Sequence, residues 1–197
     1  MIKTKSDKID TVTPRKRNIL EEKGENMKKI LVDDSKCMAC HSCEIACSIA
    51  HSVSGTLYGA ISEQTSPISG MHVETGGKGR GFPLGCLHCQ DAQCVRACVT
   101  KALSMNPDGV ILCDKNRCIG CHMCFIACPF GALEESPSGS EVYAVSKCDL
   151  CAAADHDPAC VNACPTQALS FMEPDVFSRN KRVKYLVELA VSPEVSA

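Results

Sequence analysis

Four short cysteine runs constrain this chain more than any other feature of its 197 residues, and only one of the 17 cysteines stands outside them. The first run is Cys37, Cys40, Cys43, Cys47, spaced C-x2-C-x2-C-x3-C. The second is Cys86, Cys89, Cys94, Cys98, with a wider middle gap. The third is Cys118, Cys121, Cys124, Cys128, followed by Pro129. The fourth is Cys148, Cys151, Cys160, Cys164, followed by Pro165, and its middle gap is wider still. Every run closes with C-x3-C. Cys113 is the cysteine left over.

This spacing suits [4Fe–4S] cubanes. A cubane has four irons, and each takes one thiolate. Three thiolates on one tight loop wrap one face, while the fourth follows on a short helix that points away and reaches a different cluster. Two runs therefore serve two clusters by exchange and fold as one unit, so four runs imply four [4Fe–4S] clusters. Structural zinc prefers paired C-x2-C units, often with His, and three thiolates in one short run crowd a single ion. A disulfide scaffold belongs to secreted chains. A second repeat agrees with the first: Cys98, Cys128 and Cys164 are followed at the same offset by Ala102-Leu103, Ala132-Leu133 and Ala168-Leu169. The pattern predicts a small and then an apolar residue against each cluster.

Composition fits a core built from cofactors. Aromatics make up 4% of the chain and Trp is absent, which is thin material for an ordinary apolar core. The segment Met1 to Lys29 is polar and basic, without an apolar h-region or a cleavage site. Arg15-Lys16-Arg17 lacks a twin arginine with a following apolar run. No stretch approaches the length of a membrane span. The expectation is a cytoplasmic protein with no transmembrane segment, whose reduced thiols bind metal. A net charge of −2 excludes a strongly basic nucleic-acid binder.

The predicted fold class is α+β: two modules of two clusters each, in one compact domain with a cofactor-dominated core. Ile30 to Val32 reads as a strand and Glu44 to Ala50 as a short helix. Residues 51–85 read as a Gly/Ser-rich insertion with one strand near His72-Val73-Glu74. Leu103 to Met105 and Val110 to Cys113 flank Asn106-Pro-Asp-Gly109, a strong hairpin signal. Leu133-Glu134, the turn Ser136 to Ser140 and Val142 to Val145 repeat that hairpin. The expected domains are a leader at 1–26, a cluster domain at 27–171 and a C-terminal helix and tail at 172–197. Upstream of Met27, Lys23-Gly24-Glu25 in A-rich codons contains a purine-rich ribosome-binding sequence. Translation from Met27, with 1–26 as leader DNA, is the expectation; the alternative is a disordered basic arm.

Other features carry weaker chemistry. Cys113 is a spare ligand or redox thiol, or else a small buried apolar residue, and the second reading is favoured. His41 and His122 share one slot, directly after the second cysteine of a run, where each is a donor to a cluster sulfur or a solvent-facing loop residue. Gly76-Gly-Lys-Gly-Arg-Gly81 lacks the ending and frame of a phosphate loop and reads as a flexible basic loop. Residues 176–191 predict a helix with a basic face, packed back on the domain or docking a partner. No catalytic constellation stands out, so the chain is expected not to be an enzyme. The C-x3-C-x2-C motif of radical chemistry is absent in every frame, and no DNA-binding segment remains for a redox sensor.

From Lys28 to Phe171 the chain resembles the four-cluster ferredoxin-like subunits of molybdopterin oxidoreductases, hydrogenases and related complexes, typified by the iron–sulfur subunit of dimethyl sulfoxide reductase. The residues that carry this are Cys40-His-Ser-Cys-Glu-Ile-Ala-Cys47-Ser-Ile-Ala-His-Ser52, Phe82-Pro-Leu-Gly-Cys86-Leu-His-Cys89-Gln-Asp-Ala-Gln-Cys94 and Cys118-Ile-Gly-Cys-His-Met-Cys-Phe-Ile-Ala-Cys-Pro-Phe-Gly-Ala132. Within that family it looks most like the CooF branch, the electron-transfer partners of carbon monoxide dehydrogenase. The resemblance implies that the first run pairs with the fourth and the second with the third. Cys37, Cys40, Cys43 and Cys164 would hold one cluster, and Cys148, Cys151, Cys160 and Cys47 its neighbour. Cys86, Cys89, Cys94 and Cys128 would hold another, and Cys118, Cys121, Cys124 and Cys98 the last. It also implies electron transfer from carbon monoxide dehydrogenase, or another catalytic oxidoreductase subunit, to a hydrogenase or flavin reductase. Subunits of formate dehydrogenases, hydrogenases and tungsten aldehyde oxidoreductases share these motifs and are the alternative. The chain departs from the family at Ser48 and Val99, where a proline commonly follows the fourth cysteine. Neither change removes a ligand.

Overall fold

A computed structural model describes residues 27–137, 143–154 and 156–191. The expected leader 1–26, the end of the expected turn at 138–140 and the tail 192–197 lie outside the described residues.

The apolar stretch Lys29–Val32 forms strand β1, which leads into the first cysteine run. Helix α1 (Ser42–Ala50) follows, and its buried residues are Cys43 and Cys47. A helix this short is not stable alone; it is held through its cysteine face.

The stretch 51–85 is more ordered than its composition predicts. It holds helix α2 (Leu57–Ser62), capped where Gly59 N–H donates to Thr56 Oγ1 at 3.2 Å. It also holds a hairpin of β2 (Met71–Thr75) and β3 (Gly81–Gly85), with Met71 opposite Gly85 and Thr75 opposite Gly81. The strand near 72–74 is present, but its partner Gly-Phe-Pro-Leu-Gly is hidden from sequence reasoning because Pro83 lacks an N–H. In a two-stranded sheet both strands are edges, so the missing donor is tolerated. The basic Gly76–Gly81 stretch is the turn of this hairpin, closed by Gly76 N–H to Arg80 O at 2.8 Å.

The next elements are α3 (Gln93–Ala97), β4 (Leu103–Met105), β5 (Ile111–Cys113) and α4 (Met123–Ala127). Strand β4 pairs with β5 as predicted, through a turn in which Gly109 adopts φ 76°. Strand β6 (Glu134–Pro137) pairs with β7 (Tyr143–Ser146). Helix α5 (Ala159–Asn162), strand β8 (Leu169–Met172) and helix α6 (Pro174–Val191) complete the described chain. Among the described residues, no helix is long and apolar enough to cross a membrane.

The topology is nested. Strand β8 returns to pair antiparallel with β1, Lys29 opposite Met172 and Val32 opposite Leu169. Helix α1 packs on α5, and α3 packs on α4. The first and fourth runs thus form an outer unit, and the second and third an inner one. The outer core gathers Cys43, Cys47, Met71, Val73, Cys160 and Leu169. The inner core gathers Ala92, Leu103, Ile111, Cys124, Leu133 and Val145. Between them lies a seam of Val110, Cys148 and Leu150, flanked by Ile30, Cys86 and Phe171. Helix α6 begins against the outer unit, where Lys181 reaches Asp33 at 3.6 Å. Farther along, Val183, Tyr185, Leu186 and Val187 are exposed.

Candidate metal centres

The backbone repeats as the cysteines do. The residue before the second cysteine of each run is left-handed: Ala39, His88, Gly120 and Leu150, with φ of 54°, 47°, 65° and 58°. The third residue after three of the closing cysteines is left-handed as well: Lys101, Gly131 and Gln167, with φ of 54°, 62° and 53°. A left-handed residue among right-handed or extended ones turns successive N–H groups to one side and makes an anion-binding hollow. Backbone N–H groups land on sulfur. Leu103 N–H donates to Cys98 Sγ at 3.5 Å, Ala168 N–H to Cys164 Sγ at 3.2 Å and Gly70 N–H to Cys47 Sγ at 3.2 Å.

Three cavities each bring at least four cysteines into their walls. One is lined by Cys37, Cys40, Cys43 and Cys164, with Ala168 and Leu169. A second is lined by Cys98, Cys118, Cys121 and Cys124, with Ala102 and Leu103. A third is lined by Cys86, Cys89, Cys94 and Cys128, with Ala132 and Leu133. The Ala-Leu repeat therefore lies against the cysteines, and all six residues are buried. The remaining four, Cys47, Cys148, Cys151 and Cys160, lie close enough that the first three raise the thiol of Cys160 by charge, after burial. Four thiolates per site, with N–H groups turned onto their sulfurs, are the donor set a [4Fe–4S] cluster requires, so the residues fit the group. The chain carries four such clusters.

Electrostatics divide the cysteines by position. The third cysteine of each run is buried enough to hold its proton: burial pushes Cys43 and Cys124 up to about 11, and raises Cys94 and Cys160. Burial also pushes Cys148 up to about 12. At Cys47, Cys98 and Cys164 burial acts in the same direction but loses. The N–H of Leu103 leaves Cys98 lowered, that of Leu169 leaves Cys164 lowered, and His51 with Gly70 leaves Cys47 lowered. Iron displaces protons from the buried thiols, so loading is favoured as pH rises.

Gly70 explains part of the ordered insertion. A Cβ there would lie 2.5 Å from Cys148 N and 2.8 Å from Cys148 Cα. Only glycine lets this backbone pass between the first and fourth runs and donate to Cys47. The hairpin is also tied to α1, since Val73 N–H donates to the Glu44 carboxylate. The insertion is therefore part of the outer site from Gly70 onward, and not a segment apart from it.

His41 and His122 follow the solvent-facing alternative. His41 and His122 line the mouths of two cavities and are half-exposed. Each is bound to a carboxylate at 2.6 Å, Glu44 and Glu135 respectively. The histidine that approaches a sulfur is His51, one turn after Cys47. Its Nδ1 lies 2.8 Å from Cys47 O and 3.8 Å from Cys47 Sγ, and its Nε2 lies 3.0 Å from Asp149 Oδ1. Asp149 Oδ1 also accepts Cys151 N–H at 2.9 Å. His51 thus links two runs that are distant in sequence, and the one-turn offset from Cys47 was its only signal.

Cys113 is half-buried in the wall of the cavity that holds Cys98, Cys118, Cys121 and Cys124. Burial pushes its thiol up to about 11. It is a neutral wall residue next to four candidate ligands, closer to the site than an ordinary core position.

Comparison with known proteins adds an independent finding. Residues 79–174 match the family model described as a 4Fe-4S dicluster domain, and residues 34–59 match a 4Fe-4S binding domain. The chain is 38% identical over 152 residues to UacF of Escherichia coli (strain K12), covering 74% of this chain but only 21% of that longer relative. It is 35% identical over 156 residues to the electron transport protein HydN of the same strain, covering 71% of this chain and 85% of HydN. It is 33% identical over 150 residues to the thiosulfate reductase electron transfer subunit PhsB of Salmonella typhi, covering 74% of this chain and 76% of PhsB.

Proposed function

The chain belongs to the family of [4Fe–4S] electron-transfer proteins that includes HydN and PhsB, and on that premise we propose that it relays single electrons between carbon monoxide dehydrogenase and a second redox protein, a hydrogenase or a flavin reductase. A [4Fe–4S] cluster, when bound, supplies one-electron exchange without bond chemistry. The chain supplies the rest. In this reading Cys37, Cys40, Cys43 and Cys164 form one ligand set, and Cys47, Cys148, Cys151 and Cys160 the next. Cys86, Cys89, Cys94 and Cys128 form the third, and Cys98, Cys118, Cys121 and Cys124 the fourth. The buried Ala-Leu pairs keep water from the sulfurs, and the inward N–H groups carry part of their charge.

The observation that carries the relay reading is the gradient of burial. Cys40 and Cys121 are the exposed members of their sets, in the outer and inner unit respectively, although each set also holds one buried cysteine, Cys43 or Cys124. The set of Cys47, Cys148, Cys151 and Cys160 has three buried cysteines, and the set of Cys86, Cys89, Cys94 and Cys128 has no exposed one. Electrons can enter or leave near either exposed cysteine and are insulated between them. Protein isolated anaerobically should contain about sixteen iron and about sixteen acid-labile sulfide per chain. A value near eight would remove two of the clusters, and zinc as the main metal would end the reading.

The choice of partner is supported by the three sequence stretches Cys40–Ser52, Phe82–Cys94 and Cys118–Ala132. It is tested by mixing the loaded protein with carbon monoxide dehydrogenase under CO, and separately with formate dehydrogenase and formate. Reduction within seconds by the first but not the second is expected. The reverse result assigns the chain to the alternative partner. The docking element proposed is the part of the insertion before Gly70, which exposes Val53, Leu57, Tyr58 and Ile61. Replacing Leu57, Tyr58 and Ile61 with Ser should slow transfer about tenfold, the equivalent of about 1.4 kcal/mol of transition-state contact, with iron content unchanged. Loss of iron instead would make the segment structural.

A further inference from the structure

His88 lies between Cys86 and Cys89 and is 1% exposed. Its Nδ1 accepts the N–H of Ile111 at 3.0 Å. That bond needs the lone pair on Nδ1, so the neutral ring carries its proton on Nε2. Among the described residues, Nε2 is the one buried side-chain nitrogen or oxygen without a partner. A buried donor without an acceptor is costly and rare in folded proteins.

The groups around it do not accept that proton. Lys147 is buried, and its ammonium donates to Ile111 O and Cys148 O. Lys29 donates to Leu87 O at 3.2 Å and to His88 O at 3.1 Å. Both are donors with no acceptor to offer. Asp149 is bound to His51 and Cys151 N–H, and His156 Nδ1 faces Leu150 O at 3.3 Å. Val110 and Leu150 make the surrounding seam apolar, and a bridging water would need polar partners of its own. This region therefore gathers two ammonium groups and one unpartnered N–H, on a residue set between Cys86 and Cys89.

We propose that His88 is a positioning residue whose Nε2–H donates to a sulfur of an iron–sulfur cluster at the seam, tuning that cluster where the outer and inner units meet. This rests on the ligand sets given above. Lys29 and Lys147 hold the backbone of the second and fourth runs around it, and their positive charge suits an anionic cluster. A hydrogen bond to cluster sulfur favours the more negative, reduced state, so it raises the potential.

The test uses loaded protein with 15N-labelled histidine, reduced and read by pulsed EPR. In a His51→Phe background, which removes the ring beside Cys47 Sγ, a nitrogen and an exchange-resistant proton coupled to a cluster are expected, and both are absent once His88→Phe is added. In the same variant one of the four midpoint potentials should fall by about tenfold in its reduction equilibrium, about 59 mV for one electron, with the other three unmoved. His88→Gln, which keeps an N–H, should recover part of that shift. The His51→Phe protein with about sixteen iron but no histidine coupling overturns the proposal, whether or not His88→Phe loads its clusters. Wild type well short of that iron overturns the ligand sets instead, and the proposal with them.

Discussion

Removing the iron anaerobically with a chelator should unfold residues 30–170 in one cooperative transition. The reason lies in what the elements rest on. Each sheet has two strands, and such hairpins are marginal in water. Helices α1, α3, α4 and α5 have between four and nine residues, too few to persist alone. The largest fully buried side chains are few: Met71, Ile111, Leu150, His88, Val110 and Pro83. Cysteines make up much of both cores. A structural metal site contributes about 10 kcal/mol or more to folding, comparable to the whole stability of an ordinary domain. Far-UV circular dichroism and amide hydrogen exchange are the measurements. Complete loss of exchange protection is expected, and a native-like spectrum in the iron-free protein would refute the cofactor-dominated core.

Ligand exchange between runs predicts an unusual pattern of iron loss. Cys160 and Cys164 are neighbours in sequence but belong to different proposed sets. The variant Cys160→Ala, Cys164→Ala should lose about eight iron, because two clusters of four are each deprived of a ligand. The variant Cys43→Ala, Cys164→Ala should lose only about four, no more than either single change, since both residues act on one cluster. If each run instead served its own cluster, the two results would be interchanged. Iron analysis and EPR spin counting on protein loaded anaerobically separate the cases.

Much of this architecture is legible in the chain because the cofactor chemistry is local. Three thiolates must lie within one loop, so runs such as Cys118 to Cys128 reveal themselves without knowledge of the fold. The Asn106-Pro-Asp-Gly109 turn and strand β1 are legible for the same reason, since their cause lies within a few residues. What stays hidden depends on neighbours far away in sequence. Strand β3 exists because β2 offers it a partner, despite Pro83. Ala39, Leu150, Lys101 and Gln167 are left-handed because N–H groups must face sulfur, and only Gly120 and Gly131 betray that demand by residue type. His51 gains its meaning from Asp149, and Lys147 and His88 gain theirs from Ile111, which no local pattern connects to them.

The pairing of β1 with β8 also sets an order of maturation. A chain leaves the ribosome from its N-terminus, and early segments fold first where they can. The inner unit has all its cysteines by Cys128, and its last strand by Ser146. In the proposed ligand sets the first run has no fourth ligand until Cys164 is made, and β1 has no partner until Met172 is made. The cysteines synthesised first are thus the last to be enclosed. Through most of synthesis, Cys37, Cys40, Cys43 and Cys47 are thiols open to oxidation, to stray metal ions and to cluster-delivering carriers. The outer unit, not the inner one, is where assembly is exposed to the state of the cell.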